Sequence, residues 1–218
     1  MYRLLVFIFF IYTIPLSSQI GVQAVTTFPK TRIAETNTNN RLFPFLVGAG
    51  ADYWFRLKKY RLEFFPAIHY QAAFEKITFN DNTSGKLNWT VLDFTPVFQF
   101  YPLDFNNDCM CPTFSKQGQF LKKGFFLQLA PGIAYSRLSG EQTIVKNVSE
   151  SIAFLRLGAG IDIGVSDLIT LSPVVNYQLS QTLDWSRFFT TVTSSKVDVF
   201  SGLFFSLRMG WRFDRKNY

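Results

Sequence analysis

The sequence predicts an all-β protein, an eight-stranded antiparallel transmembrane up-and-down β-barrel. Three observations predict it. The N-terminus carries a short apolar run with the proportions of an export signal. Apolar and polar residues alternate with period two along nearly everything that follows. No later stretch reaches the roughly 18 to 20 unbroken apolar residues that a membrane-spanning helix needs. The chain has 218 residues, 48% of them hydrophobic and 26 of them Phe. That much apolar surface must be covered by a core or by lipid, and without a helix to carry it the surface is spread over strands.

Met1-Tyr2-Arg3 supplies a positive head, Leu4 through Ile14 an apolar run, and Pro15 a break before the small residues of Leu16-Ser17-Ser18. Cleavage after Ser18 is expected, giving residues 1–18 as a signal peptide and 19–218 as the barrel domain. A short buried helix or membrane anchor is the competing reading. No Cys follows the apolar run, which argues against a lipoprotein.

The first strand, about Gln19 to Phe28, has the weakest pattern. In the second, Phe45, Val47, Ala49, Tyr53 and Phe55 alternate with Gly48, Gly50, Asp52 and Arg56. Leu62, Phe64, Ile68 and Tyr70 then oppose Arg61, Glu63, His69 and Gln71. Leu92, Phe94, Pro96, Phe98 and Phe100 oppose Asp93, Thr95 and Gln99. Phe125, Leu127, Leu129, Ile133 and Tyr135 oppose Gln128, Ala130, Gly132 and Ser136. The sixth strand sets Leu155, Leu157, Ala159, Ile161, Ile163 and Val165 against Arg156, Gly158, Gly160, Asp162 and Gly164. The seventh sets Ile169, Leu171, Pro173, Val175, Tyr177 and Leu179 against Thr170, Ser172, Asn176, Gln178 and Ser180. The last sets Leu203, Phe205, Leu207, Met209, Trp211 and Phe213 against Gly202, Ser206, Arg208, Gly210 and Arg212. Eight is an even number, as bacterial outer-membrane barrels have.

From a periplasmic N-terminus, the outward connections are expected at about 29–42, 76–87, 138–150 and 182–199. Tight inner turns are expected at Lys58-Lys59 and Ser166-Asp167. The inner connection at about 102–123 is long and breaks the asymmetry. A soluble barrel would show Lys and Glu on its polar face, whereas here the lysines fall in loops or at strand ends. The mid-strand polar face holds Gly, Ser, Thr, Asn, Gln and a few charges, which suits a confined lumen. Tyr53, Tyr70, Trp89, Tyr101, Tyr135, Tyr177 and Trp211 are candidates for interfacial girdles.

These features, with the closing run Leu207-Arg208-Met209-Gly210-Trp211-Arg212-Phe213, resemble the small outer-membrane β-barrel proteins. That group includes the OmpA/OmpX-like barrels and the PorT-like barrels common in Bacteroidota. The resemblance covers nearly the whole mature chain and rests on pattern. It implies a place in the cell outer membrane, contact with outer-membrane lipid, and a C-terminal aromatic signal for the barrel-assembly machinery. Trp211 and Phe213 are the candidates for that signal, with Tyr218 an alternative to Phe213.

The lumen charges Asp52, Arg56, Arg61, Glu63, Asp93, Arg156, Asp162, Arg208 and Arg212 carry both signs, so mutual salt bridges are expected. An eight-stranded barrel is just wide enough for side chains to fill, which makes it a poor diffusion porin. Cys109 and Cys111 lie in the long inner connection. A disulfide between them is plausible in an oxidising compartment but closes a very small ring, and free thiols or a redox or metal role stand beside it. The segment 102–123 is a candidate docking point for a periplasmic partner. His69 is the only histidine. It is a candidate general base, against the plainer reading of a satisfied lumen residue, and no Gly-x-Ser-x-Gly elbow accompanies it.

Gly158-Ala159-Gly160 with Gly164 lacks phosphate-loop spacing, and such glycines are expected to relieve crowding in a curved wall. Asn82-Thr83-Ser84, Asn88-Trp89-Thr90 and Asn147-Val148-Ser149 match glycosylation sequons that mean little in a bacterium. The formal charge is +7, but the basic residues are scattered, which argues against nucleic acid. Lys30, Arg32, Arg41, Lys76, Lys86, Lys146, Arg187 and Lys196 fall in the outer connections and are candidate partners for lipopolysaccharide phosphates. No cofactor is expected. The function expected is a non-enzymatic structural, surface-interaction or assembly-related role. The alternatives are a barrel-wall lipid hydrolase or acyltransferase, and a soluble lipocalin-like binder of hydrophobic ligands.

Overall fold

A computed structural model describes residues 19–30, 43–57, 62–78, 84–103, 124–140, 147–166, 168–181, 183–184, 196–197 and 201–212. Of residues 56, 57, 77, 78, 84, 183, 184, 196, 197 and 212 it describes the backbone alone. Eight strands form the wall: β1 (Gln19–Pro29), β2 (Leu46–Tyr53, resuming at Phe55–Leu57), β3 (Leu62–Thr78) and β4 (Ser84–Phe100). They continue as β5 (Phe125–Gly140), β6 (Val148–Ile161, resuming at Ile163–Gly164), β7 (Ile169–Ser180) and β8 (Gly202–Arg212). Leu183–Asp184 and Lys196–Val197 pair as a small separate ladder between β7 and β8.

Each strand pairs antiparallel with its neighbours in sequence, and β8 returns to β1 from Gln19↔Arg212 to Pro29↔Gly202. Closure leaves no edge strand, so every strand of the wall has a neighbour on either side to pair with. The register fixes the shape. A path across the strands from Gln19 passes Phe65, Ala130, Arg156, Gln178 and Gly202 and meets β1 again at Pro29, ten residues further on. Ten residues at about 3.4 Å against eight strand spacings of about 4.8 Å give a tilt of about 42°. That lies in the range of transmembrane barrels.

The alternation expected from sequence is present on every strand, and the Phe-rich face is outside. Leu207 is 47% exposed and Phe94 48%, while Arg208 and Asp93 beside them are buried. Ile161, Leu171 and Trp211 take outward positions in the same alternation. This is the reverse of a lipocalin, which turns its apolar face inward.

Three corrections to the sequence reading follow from geometry. First, the inward face is not only polar and small. Phe65, Val97, Phe126, Phe154, Val174 and Phe204 are all buried inside, because a lumen this narrow is filled by side chains and packs as a core. Second, β3 and β4 extend to Thr78 and from Ser84, so Lys76 and Lys86 sit in the ladder, directly paired, and not in a loop. The lysines there take outward, exposed positions of the ladder, with Leu87 beside them buried inside. Third, Trp89 and Tyr101 are not girdle residues. Both are buried, with Trp89 Nε1 donating to Ser136 Oγ at 2.8 Å. Tyr70, Tyr135 and Tyr177 do face outward and exposed.

The glycines are explained by close approach. At Gly50 an added Cβ would collide with the His69 ring and the Ile68 carbonyl, and at Gly132 with the Phe154 ring and the Thr95 hydroxyl. The tight β6–β7 turn expected at Ser166 is present: Val165 N donates to Ile169 O at 3.0 Å, and Ser166 Oγ accepts from Ile169 N at 3.1 Å.

An outward charge at mid-height tests which solvent this surface meets. Leu207→Arg is expected to destabilise the protein by about 2–4 kcal/mol in lipid vesicles, read by denaturant unfolding. On a soluble barrel the same exposed change would be close to neutral.

Candidate functional site

The lumen holds its charges in tiers. In the middle tier, Arg156 reaches from β6 to Asp93 on β4. Its Nη2 donates to Asp93 Oδ2 at 2.8 Å and Nη1 to Oδ1 at 3.3 Å. Nε donates to Gln178 Oε1 at 2.7 Å. The guanidinium lies between two aromatic faces, 4.3 Å from the Phe154 ring centroid and 3.9 Å from that of Phe204. Asp93 also accepts from Thr95 Oγ1 at 2.8 Å and pairs with His69 Nδ1 at 2.7 Å. At 1% exposure, Arg156 is a charge taken fully out of water, which is tolerable only because each donor edge has an acceptor or a π-face.

The second tier sits nearer the rim where β1 begins. Arg208 donates from Nε to Asp52 Oδ2 at 2.9 Å and from Nη2 to Oδ1 at 2.6 Å, a two-point pair across the β8–β1–β2 side of the wall. Phe65 lies 4.7 Å beneath its guanidinium. Gln23 joins the tiers, its Nε2 donating to Asp52 at 2.9 Å while its Oε1 faces His69 Nε2 at 3.3 Å. At the rim itself, Tyr101 OH lies 2.8 Å from both Glu63 Oε2 and Asp162 Oδ2, and Asp162 also accepts from Ser172 Oγ.

The structure places Asp52, Glu63, Asp93, Arg156, Asp162 and Arg208 in the interior. Arg56 and Arg212 fall within β2 and β8. Their side chains, together with Arg61, Cys109, Cys111, Phe213 and residues 1–18 and 104–123, lie outside the described residues. Trp211 sits opposite Ile20 on β1.

His69 fares poorly as a general base. Its pairing with Asp93 is the arrangement that orients a catalytic histidine, but the other nitrogen faces the Gln23 amide oxygen, and the ring packs edge-on against Phe204 at 5.7 Å. A nucleophile would have to occupy the place Gln23 holds. The hydroxyl of Thr95 bonds to Asp93 instead. Among the described residues no three His, Cys, Asp or Glu side chains converge as metal ligands.

Between the tiers the structure leaves a cavity of about 10 Å³, lined by Gln23, His69, Thr95, Arg156, Phe204 and Arg208 among others. That is room for about one water molecule. Gln23, Thr95 and Gln178 were not singled out as partners by sequence reading. Their inward parity was the available signal, but which strand each one faces is set by the register, which no single sequence displays.

Fold and interior together define the class: a small eight-stranded β-barrel of the outer-membrane type, apolar outside and filled within. No family model matches the sequence, and no curated protein matches it. Solved structures of similar fold include Neisserial surface protein A, with a TM-score of 0.48 and 11% identity over 90% of this chain and 97% of that one. Ail, the attachment invasion locus protein of Yersinia pestis, has a TM-score of 0.45 and 14% identity over 90% and 97% of the two chains. Outer Membrane Protein W of E. coli has a TM-score of 0.41 and 14% identity over 92% and 100%. At such identities the likeness is one of fold alone, and the barrel assignment stands on the chain's own strand register.

Arg156→Met leaves Asp93 short of its main partner in a dry interior and is expected to destabilise the barrel by about 3–5 kcal/mol. Adding Asp93→Leu is expected to recover part of that loss, because the uncompensated charge goes too. Denaturant titrations of both variants, followed by gel mobility, give the comparison.

Proposed function

We propose that the protein resides in the cell outer membrane as a non-enzymatic barrel with a structural or surface-interaction role. The observation that carries this reading is a belt of exposed Phe, Leu and Ile around an interior packed with buried side chains such as Phe65, Phe126, Arg156 and Gln178. Such a body is built to sit in lipid and not to pass solutes through its centre. Its partners on this reading are outer-membrane lipid, the barrel-assembly machinery acting on the Trp211–Phe213 end, and a periplasmic protein at residues 102–123, which contain Cys109 and Cys111.

Lipopolysaccharide phosphates are the partner with the most specific support. Lys76 and Lys86 are exposed and directly opposite one another in the β3–β4 ladder. Like charges placed so are unfavourable without an anion between them. Arg137, exposed on β5, pairs with Thr90 of β4 on the same side of the barrel. Just inside this cationic patch lies Phe74, 72% exposed. Cations above an apolar belt match the order of phosphate and acyl chain in a lipopolysaccharide leaflet.

Fractionation is expected to place the protein in the outer membrane, with gel mobility that shifts on boiling. A soluble protein with unchanging mobility would sink the proposal. Lys76→Ala with Lys86→Ala and Arg137→Ala is expected to reduce binding of purified lipopolysaccharide in low salt, and high salt to reduce binding by the unaltered protein likewise. Binding untouched by either would remove the phosphate contact and leave residence in the membrane standing.

A further inference from the structure

The outer belt is interrupted at one level by a row of prolines. On β3, β4 and β5 the successive outward residues run Phe64-Pro66-Ile68, Phe94-Pro96-Phe98 and Leu129-Pro131-Ile133. Pro66 is directly paired with Pro96, and the β4–β5 register, Phe94↔Ile133 on one side and Phe98↔Leu129 on the other, brings Pro96 opposite Pro131. Pro96 is the middle one of five outward residues from Leu92 to Phe100, and Pro131 of five from Leu127 to Tyr135. Three small rings in line, between rows of large side chains, make a transverse notch at mid-belt.

The notch coincides with a defect in the wall. Antiparallel pairs alternate between hydrogen-bonded and non-hydrogen-bonded rungs. The β3–β4 ladder runs unbroken through Pro66↔Pro96, so that rung is the kind needing no N–H from either proline. Pro96 and Pro131 then face one another at a rung that needs both, and proline has none to give. The β4–β5 ladder is interrupted at this place, between Phe94↔Ile133 and Phe98↔Leu129. Two carbonyl oxygens thus lack their ladder donors, at a depth where water cannot replace them. Behind the gap, Thr95, Val97 and Ala130 line the interior cavity, the Phe154 ring covers Gly132, and Phe65, Ala67, Val97 and Ala130 form an apolar cluster with Trp54 against it.

We infer that the notch over the Pro96–Pro131 seam is a binding site for a membrane lipid whose apolar body carries a hydroxyl or amide N–H. The rows ending in Phe94, Ile133, Phe98 and Leu129 hold the chain, and its donor bonds to the carbonyls of Pro96 and Pro131. The ligand's polarity follows from the wall: acceptors without donors select a donor. The site rests on the outer surface facing lipid, which mobility on boiling checks separately.

The test uses the full mature barrel in phosphatidylcholine nanodiscs, shown to be folded by its gel mobility, with amide NMR shifts of residues 94–98 and 129–133 followed on titration. The probes are 1-dodecanol and dodecyl methyl ether, alike in chain but with a donor only in the first. Saturable shifts at the seam are expected with the alcohol, at roughly three- to tenfold lower concentration than with the ether. Pro131→Ala, which supplies an N–H to the Pro96 carbonyl, is expected to narrow that difference and to raise the unfolding midpoint. Pro96→Ala serves the same purpose from the other strand. Equal response to the two probes, no response at the seam, or an undiminished alcohol preference in a folded variant overturns the proposal. If neither variant folds, the comparison of probes on the unaltered chain decides it.

Discussion

Closure of the wall between β1 and β8 is the constraint on which the rest depends. A strand in hydrocarbon has no water to satisfy its N–H and C=O groups, so an open sheet edge at this depth is untenable. The first and last strands meet along the full length of β1, and once they do, strand number and stagger leave a single radius. That radius admits side chains and little else. The interior must then be packed, and its polar groups must find each other across the barrel, because few waters fit among them.

The two arginines show how the interior meets that demand. Arg156 and Arg208 lie in different tiers and are held alike, each by a carboxylate on a strand beyond its immediate neighbour and by aromatic rings stacked on the guanidinium. A buried pair of this kind adds little net stability compared with an apolar replacement. What it does add is register. A slip of one residue in β4 or β8 would turn Asp93 or Arg208 out into lipid, where a charge is unfavourable by several kcal/mol. The Gln23 amide, bonded to Asp52 and facing His69, ties both tiers to the closing strand. The lumen network therefore reads as a lock on the strand arrangement, and His69 as one of its parts.

The architecture was legible in the sequence because the barrel imposes one rule on every strand. Leu203 to Trp211 and Leu155 to Ile163 show it plainly, and the inward parity of Asp52, Asp93, Arg156 and Arg208 followed directly. Partnership did not follow. Whether Arg156 meets Asp93 or Asp162 depends on the ten-residue stagger, a property of all eight strands at once. The inward aromatics were missed for a different reason. Phe65, Phe126 and Phe154 break the expectation of a polar lumen, yet each fills space that Ala130, Gly160 or Gly132 opens, and such size complementarity lies between strands far apart in the chain. Trp89, inside β4, and Tyr101, just past its end, stand where the sequence pattern placed strand ends, and there a girdle residue and an inward plug have similar sequence positions. Only the side-chain direction separates them.

The prolines set closure against itself. A barrel wall excludes proline from interior rungs because each one removes a donor, and yet Pro66, Pro96 and Pro131 stand in line across three consecutive strands. Scattered, each would weaken a different ladder by one bond. Aligned as they are, Pro66 and Pro96 share a rung that requires no donor, Pro96 and Pro131 lose theirs together at one rung, and Pro66 loses its own toward β2, where the ladder is interrupted between Asp52↔Ala67 and Phe55↔Phe64. The closing ladder between β1 and β8 carries no such interruption. The Pro96–Pro131 rung sets in the hydrocarbon a pair of carbonyl acceptors without ladder donors. The same backbone accounting that forces the barrel to close thereby marks the Pro96–Pro131 rung as a place on its surface where lipid is more than a solvent.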